Sequence, residues 1–181
     1  MRSSHVTVLC SALLAFATTL AFAQAPEQPP TPGPEHKRFE YFVGTWVSEV
    51  VMKPSPLGPG GKVTGRDSCE MFKGGFHVVC RSEMSGWMGP MSALGIWTWS
   101  AAEKKYLTVG IDSMGSLELG SGTVSDKTWT LSSETKMAGQ VMASRYTLVE
   151  TSPDAYTFKW EMSLGGGPWA LISEGTATRV K

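Results

Sequence analysis

The chain has 181 residues, 41% of them hydrophobic, with 16 basic and 16 acidic side chains and a formal net charge of zero. That balance leaves no electrostatic footprint for nucleic acid or for an anionic membrane surface. The sequence contains no asparagine, which excludes N-glycosylation, and its length suits one domain with a sizeable core.

Residues 1–23 read as a signal peptide. Arg2 gives a basic start, Val6 to Ala21 is an uncharged apolar run, and Ala21-Phe22-Ala23 forms a small-x-small cleavage site before Gln24. The run is too short for a comfortable membrane span. Cleavage leaves a chain with no membrane span and, with Arg2 removed, 15 basic against 16 acidic side chains, a net charge of −1. Its destination is periplasmic or secreted. Residues 24–34 hold five prolines and little that packs, so they form an extended, disordered spacer. The folded domain is expected over 35–181. It opens on one or two helical turns begun by Pro34 and Glu35, with Phe39, Phe42 and Val43 on one face. A helix this short must lay that face against something else.

From residue 44 onward the pattern is strand after strand, at about 44–53, 63–72, 76–84, 91–99, 105–112, 116–124, 127–134, 140–150, 155–163 and 169–180. Tyr156, Phe158, Trp160 and Met162 alternate with Thr157, Lys159, Glu161 and Ser163, the period-two signature of a half-buried strand. Short strands joined by tight turns, without crossover helices, predict an all-β antiparallel meander. Ten strands avoid exposed edges most simply by closing into a barrel. Gly74-Gly75 reads as a two-residue hairpin turn, which pairs residue 71 with 78 and Cys69 with Cys80. The two cysteines are then placed for a cross-strand disulfide. On the opposite face of that hairpin Arg66 falls across from Glu83.

Alternate loops of a meander share one end of the barrel. One set, at 73–75, 100–104, 125–126 and 151–154, is short and polar. The other set is glycine-rich and carries Leu57, Trp87, Met88, Met114 and Met137. The helical turns belong at the first end as a plug, and the second end becomes an apolar mouth suited to adaptable contacts. The bland alternative is that these side chains fold back over the barrel's own core.

Gly44-Thr45-Trp46 at the start of such a barrel resembles the Gly-x-Trp signature of lipocalins and the beginning of fatty-acid-binding proteins, which together form the calycin group. The resemblance implies that Trp46 packs at the closed end under a basic residue of the last strand, and Arg179 in Thr178-Arg179-Val180 stands in that place. With Phe39 and Phe42, these residues make a structural closed end. From Pro34 to the C-terminus the chain also resembles a bacterial family of secreted domains of unknown function, through Phe42 to Trp46, Gly58-Pro59-Gly60-Gly61, Gly95-Ile96, Lys105-Tyr106, Ile111 to Gly115 and Gly122-Thr123. That likeness implies a fold and brings no activity. Two departures stand out. The helical lid of fatty-acid-binding proteins is absent, because Pro54 to Gly61 cannot be helical. The glycine-rich motif of the haem-binding nitrobindins is not continued.

No catalytic constellation is visible. After cleavage the chain has two histidines, His36 and His77, so neither a metal nor a haem is expected, and no cofactor follows. Asp67 and Asp112 are either turn-capping residues or buried polar groups of the barrel. Arg145 shares the interior face with Trp160 if the hairpin near Ser152-Pro153 has an even-numbered loop, and there it would read an anionic head group. A shift of one residue turns it outward. The leading expectation is a barrel binding a small hydrophobic or amphipathic ligand. Its sites would be Trp97, Trp99, Tyr156, Phe158, Trp160 and Arg145 inside, with entry past Trp87, Met88, Met114 and Met137. The alternative is a structural barrel docking a protein partner through its apolar rim. An enzyme acting on a hydrophobic substrate ranks third and requires a polar cluster with perturbed titration inside the barrel. No feature sets an oligomeric state.

Overall fold

The computed structural model describes residues 29–181, apart from Ala138 and the side chain of Met137. The expected signal peptide and residues 24–28 of the expected spacer therefore lie outside the described residues. A compact unit runs from Thr31 to Lys181. It begins with a single helical turn, α1 (Pro34–Lys37), which continues as a 3-10 turn over Arg38–Tyr41. Ten strands follow: β1 (Gly44–Met52), β2 (Gly61–Met71), β3 (His77–Gly86), β4 (Gly89–Ser100), β5 (Lys105–Asp112), β6 (Leu117–Ser125), β7 (Thr128–Met137), β8 (Gln140–Ser152), β9 (Ala155–Leu164) and β10 (Ala170–Arg179). Each pairs antiparallel with the next, and β1 pairs with β10, so the sheet closes into a barrel.

Local chemistry accounts for the register. The Gly74-Gly75 turn sets Met71 opposite Val78 and Cys69 opposite Cys80, and the two sulfurs are bonded. The disulfide faces the interior: Cys69 is buried in the core and Cys80 packs against it. Arg66 stands across from Glu83 on the outer face. The ion pair there is nevertheless Arg81 with Glu70 at 2.8 Å, while Glu83 accepts from the Ser92 hydroxyl. The β3–β4 connection is tighter than the glycine-rich segment suggests, because Gly86 pairs with Gly89 across Trp87-Met88 alone.

The plug fills one end. Phe39 and Trp46 are fully buried, and Phe42 nearly so. The Phe42 ring lies 5.0 Å from Trp97 and from Trp129, and Trp46 lies 5.0 Å from Tyr156. Arg179 covers Trp46, its guanidinium 4.2 Å from the indole centroid. The same guanidinium donates to the carbonyls of Val43, Tyr41 and Pro153 and to Asp154, so last strand, plug and β8–β9 turn are tied through one side chain. This explains Gly44 of the Gly-x-Trp segment: its φ is +120°, and a Cβ there would stand 2.9 Å from an Arg179 nitrogen. A second tie is made by buried Glu150, which accepts from Trp129 Nε1 at 2.7 Å and from Arg38 at 2.9 Å.

Removing the plug's ring system leaves a large void in a close-packed end. Phe42→Ala is expected to cost about 3–5 kcal/mol. Cutting the short disulfide ring with Cys69→Ala/Cys80→Ala is expected to cost roughly 2–3 kcal/mol. Denaturant unfolding of the two variants against the wild type checks both values.

Candidate functional site

Inside the barrel, side chains from β2–β5 face those from β6–β9 across a space the plug does not fill. Two adjoining cavity lobes occupy it, of about 340 Å³ and about 320 Å³, and they share Gly95, Trp97, Gly110, Glu118 and Tyr146. The larger lobe runs from Phe42 and Trp46 at the plug to Asp112 and Ser116 at the β5–β6 turn. The smaller extends toward Leu131, Ser144 and Trp160. The space exists because one wall is made of glycine. Gly95 and Gly110 are paired with each other, and a Cβ on Gly110 would meet nothing closer than 4.0 Å.

The lining is aromatic with a few polar groups. Trp97, Tyr146, Tyr156 and Trp160 supply rings, and Asp67 and Glu118 supply carboxylates. Glu118 accepts from the Ser133 hydroxyl, and Ser144 accepts from Trp160 Nε1 at 3.3 Å. Asp67 is registered between Trp46 and Ser82. Burial lifts its carboxyl above the ordinary aspartate range, with hydrogen bonding from Ser82 pulling the other way. Burial also pushes the Tyr146 and Tyr156 phenols up, and the charge of Asp67 adds to both shifts, so these three groups form one electrostatic cluster. Asp112 spends its carboxylate on its own turn, accepting from the backbone N–H groups of Met114 and Ser116, which lowers its pKa despite partial desolvation. Among the described residues no three His, Cys, Asp or Glu side chains gather at metal-ligating range.

Of the side chains expected at the site, Trp97, Tyr156 and Trp160 line the lobes. Phe158 lies in the core, stacked 5.6 Å from Tyr146, and Trp99 packs against Tyr106 at the plugged end. Trp87, Met88 and Met114 do not line either lobe. Trp87 lies over the β1–β2 connection, so close to Gly58 that a Cβ there would overlap the indole. Arg145 is on the outer face, donating to Glu161 at 2.9 Å and lying 4.5 Å from the Trp169 ring centroid. The cause is a bulge. Ser152 pairs with Ala155 across a two-residue Pro153-Asp154 turn, but one residue is extra between Glu150 and Ser152, so Tyr146 stands opposite Trp160 and the odd-numbered residues, Arg145 among them, turn outward. The extra residue lets Glu150 turn inward to Trp129 and Arg38. Tyr146, Glu118 and the Gly95/Gly110 wall were not singled out by sequence reasoning. Their period-two placement on strands was the available signal.

Exposed apolar side chains lie in the turns, at Trp87, Met88 and Met114, and also on the barrel's outer wall. Ile96, Val109 and Leu119 are paired across β4–β6, as are Leu94, Ile111 and Leu117, and Leu117 and Leu119 are 60% and 61% exposed.

The sequence matches a family described as a protein of unknown function, DUF1579, over residues 31–179. The chain belongs to this DUF1579 family. No curated protein matches it by sequence. Among solved structures the barrel is similar to the S-type phycobiliprotein lyase CPES from Guillardia theta, with a TM-score of 0.57 and 16% identity, covering 81% of this chain and 93% of that one. It is also similar to Rv2717c from M. tuberculosis, with a TM-score of 0.59 and 13% identity, covering 82% of this chain and 99% of that one. At these identities the likeness shows a shared fold.

Because the folded state takes up the Asp67 proton before the unfolded chain does, the ionised carboxylate weakens folding at neutral pH. The penalty fades as the pH falls through the raised folded-state pKa. Asp67→Asn is therefore expected to melt at a higher temperature than the wild type at pH 7. The gap should close toward about pH 4, as followed by thermal unfolding across pH.

Proposed function

We propose that this member of the DUF1579 family is an exported barrel that holds a small apolar or amphipathic molecule in its interior. The observation that carries the reading is the void itself, a ring-lined space beside a glycine wall in a barrel whose other end is packed shut. Its larger lobe, about 340 Å³, falls in the range of roughly 300–1,000 Å³ usual for small-molecule sites. A protein that needed only a stable barrel would gain from side chains at Gly95 and Gly110. Export rests on the apolar N-terminal run with its Ala21-Phe22-Ala23 site and on the Cys69–Cys80 bond, since disulfides persist in oxidising compartments. The likeness to the lyase brings the fold and no reaction to this chain.

N-phenyl-1-naphthylamine, an uncharged fluorophore that brightens in apolar surroundings, tests the reading. Saturable binding to the wild type is expected. Gly110→Leu, which places a side chain in both lobes, should weaken binding by about tenfold or more without lowering the melting temperature. Non-saturable binding, or equal binding by the two proteins, would overturn it.

A second reading, docking of a protein partner, draws on the outer wall and not on the rim. The Ile96/Val109/Leu119 and Leu94/Ile111/Leu117 rows form a flat apolar face that a second copy of this chain could cover. Sedimentation would then show a dimer for the wild type and a monomer for Leu119→Glu; a wild-type monomer at high concentration sinks this reading.

A further inference from the structure

We infer that the molecule held in the cavity is a cation, an organic amine or quaternary ammonium on an apolar body, with its charge at Asp67 and the surrounding rings. The inference rests on the interior-cavity reading above and adds the sign of the ligand's head group. A carboxylate ligand of the kind the barrel's resemblances bring to mind needs a basic side chain to receive it. Among the described residues neither lobe is lined by a lysine, arginine or histidine. Arg145 is engaged outside with Glu161, and Arg179 is spent at the seal on carbonyls and Asp154. Three acids line the larger lobe instead. Asp112 is satisfied by its own turn, Glu118 has the Ser133 hydroxyl, and Asp67 has Ser82. Asp67 and Glu118 are thus each left with one serine hydroxyl, and Asp67 is the one registered with Trp46 in the lobe that Tyr146 and Tyr156 line.

Its neighbourhood is what a cation requires. Trp46 is registered beside it, and Tyr146 and Tyr156 are near enough to feel its charge. Ring faces attract a desolvated cation, and a carboxylate adds a charge-assisted contact. Tyr156 is 9% exposed and lines the lobe, yet its hydroxyl makes none of the hydrogen bonds found among the described residues, so an acceptor or donor on the ligand has a ready partner. A carboxylate in such a place costs stability in the empty protein unless a cation arrives to offset it. The lobe continues from Asp67 past Trp97 and Gly110, which gives the apolar body its place.

The test is displacement of N-phenyl-1-naphthylamine by three ligands with one ten-carbon chain: decyltrimethylammonium, decanol and decanoate, each below its micellar concentration. Decyltrimethylammonium is expected to bind the wild type about tenfold or more tighter than decanol, with decanoate weakest. Asp67→Asn should bring the ratio of cation to alcohol close to one, and Glu118→Gln should reduce it less. If the fluorophore binds saturably but the cation has no advantage over the alcohol, or decanoate binds best, the charge assignment falls while the cavity reading stands. An unchanged ratio in Asp67→Asn also overturns the assignment. If the fluorophore itself does not bind, the cavity reading falls and this inference with it.

Discussion

Closure of the sheet between its first and last strands is the constraint on which the rest depends. Pairing β1 with β10 sets Trp46 directly opposite Arg179, and the guanidinium then lies over the indole, 4.2 Å from its centroid. Its donors reach backbone carbonyls at the C-terminal end of the 3-10 turn and in the β8–β9 hairpin. A planar fork with five N–H groups can serve an aromatic face and several carbonyls together; a lysine ammonium could not. The plug is held because the barrel closes, and its rings are buried in the end that closure makes.

Sealing one end with rings concentrates the bulky residues there. Phe39, Phe42, Trp46, Trp129 and Tyr156 interlock in edge-to-face and tilted contacts, and the plug reaches no further than Trp97. Beyond that level the β4–β5 wall presents Gly95 and Gly110, while the far wall presents Tyr146 and Trp160. Nothing bridges the gap between a wall without side chains and rings of fixed length. The cavity is therefore a consequence of where large and small residues fall around one circumference. The same arrangement keeps water-excluding surfaces around Asp67, which accounts for its reluctance to ionise and gives its charge long reach.

Much of this was legible in the chain. Period-two alternation and glycine turns predicted ten strands, and each observed strand overlaps its expected span, because pleat and turn geometry are properties of a few neighbouring residues. The Gly74-Gly75 hairpin set the cysteine pairing by counting alone. The interior was read in part. Trp87, Met88 and Met114 read as an entry by composition; Trp87 stands against Gly58 at the β1–β2 connection, and the three line neither lobe. Glycines at 95 and 110 looked like ordinary strand residues, since an absence of side chain carries meaning only when the opposite wall is known.

Arg145 and Tyr146 mark the boundary between the two kinds of information. The sequence by itself determined that adjacent residues on β8 face opposite ways, that the chain makes an antiparallel meander, and that aromatic residues recur on one face of β4 and of β9. Only the tertiary structure decided that one extra residue before the Pro153-Asp154 turn brings Glu150 in to meet Trp129 and Arg38, which puts Tyr146 inside and Arg145 out. Glu150 meets Trp129 from the neighbouring strand and Arg38 from 112 residues away, contacts that no local pattern reveals. With Arg145 outside, the acids that line the larger lobe face no basic side chain among the lining residues.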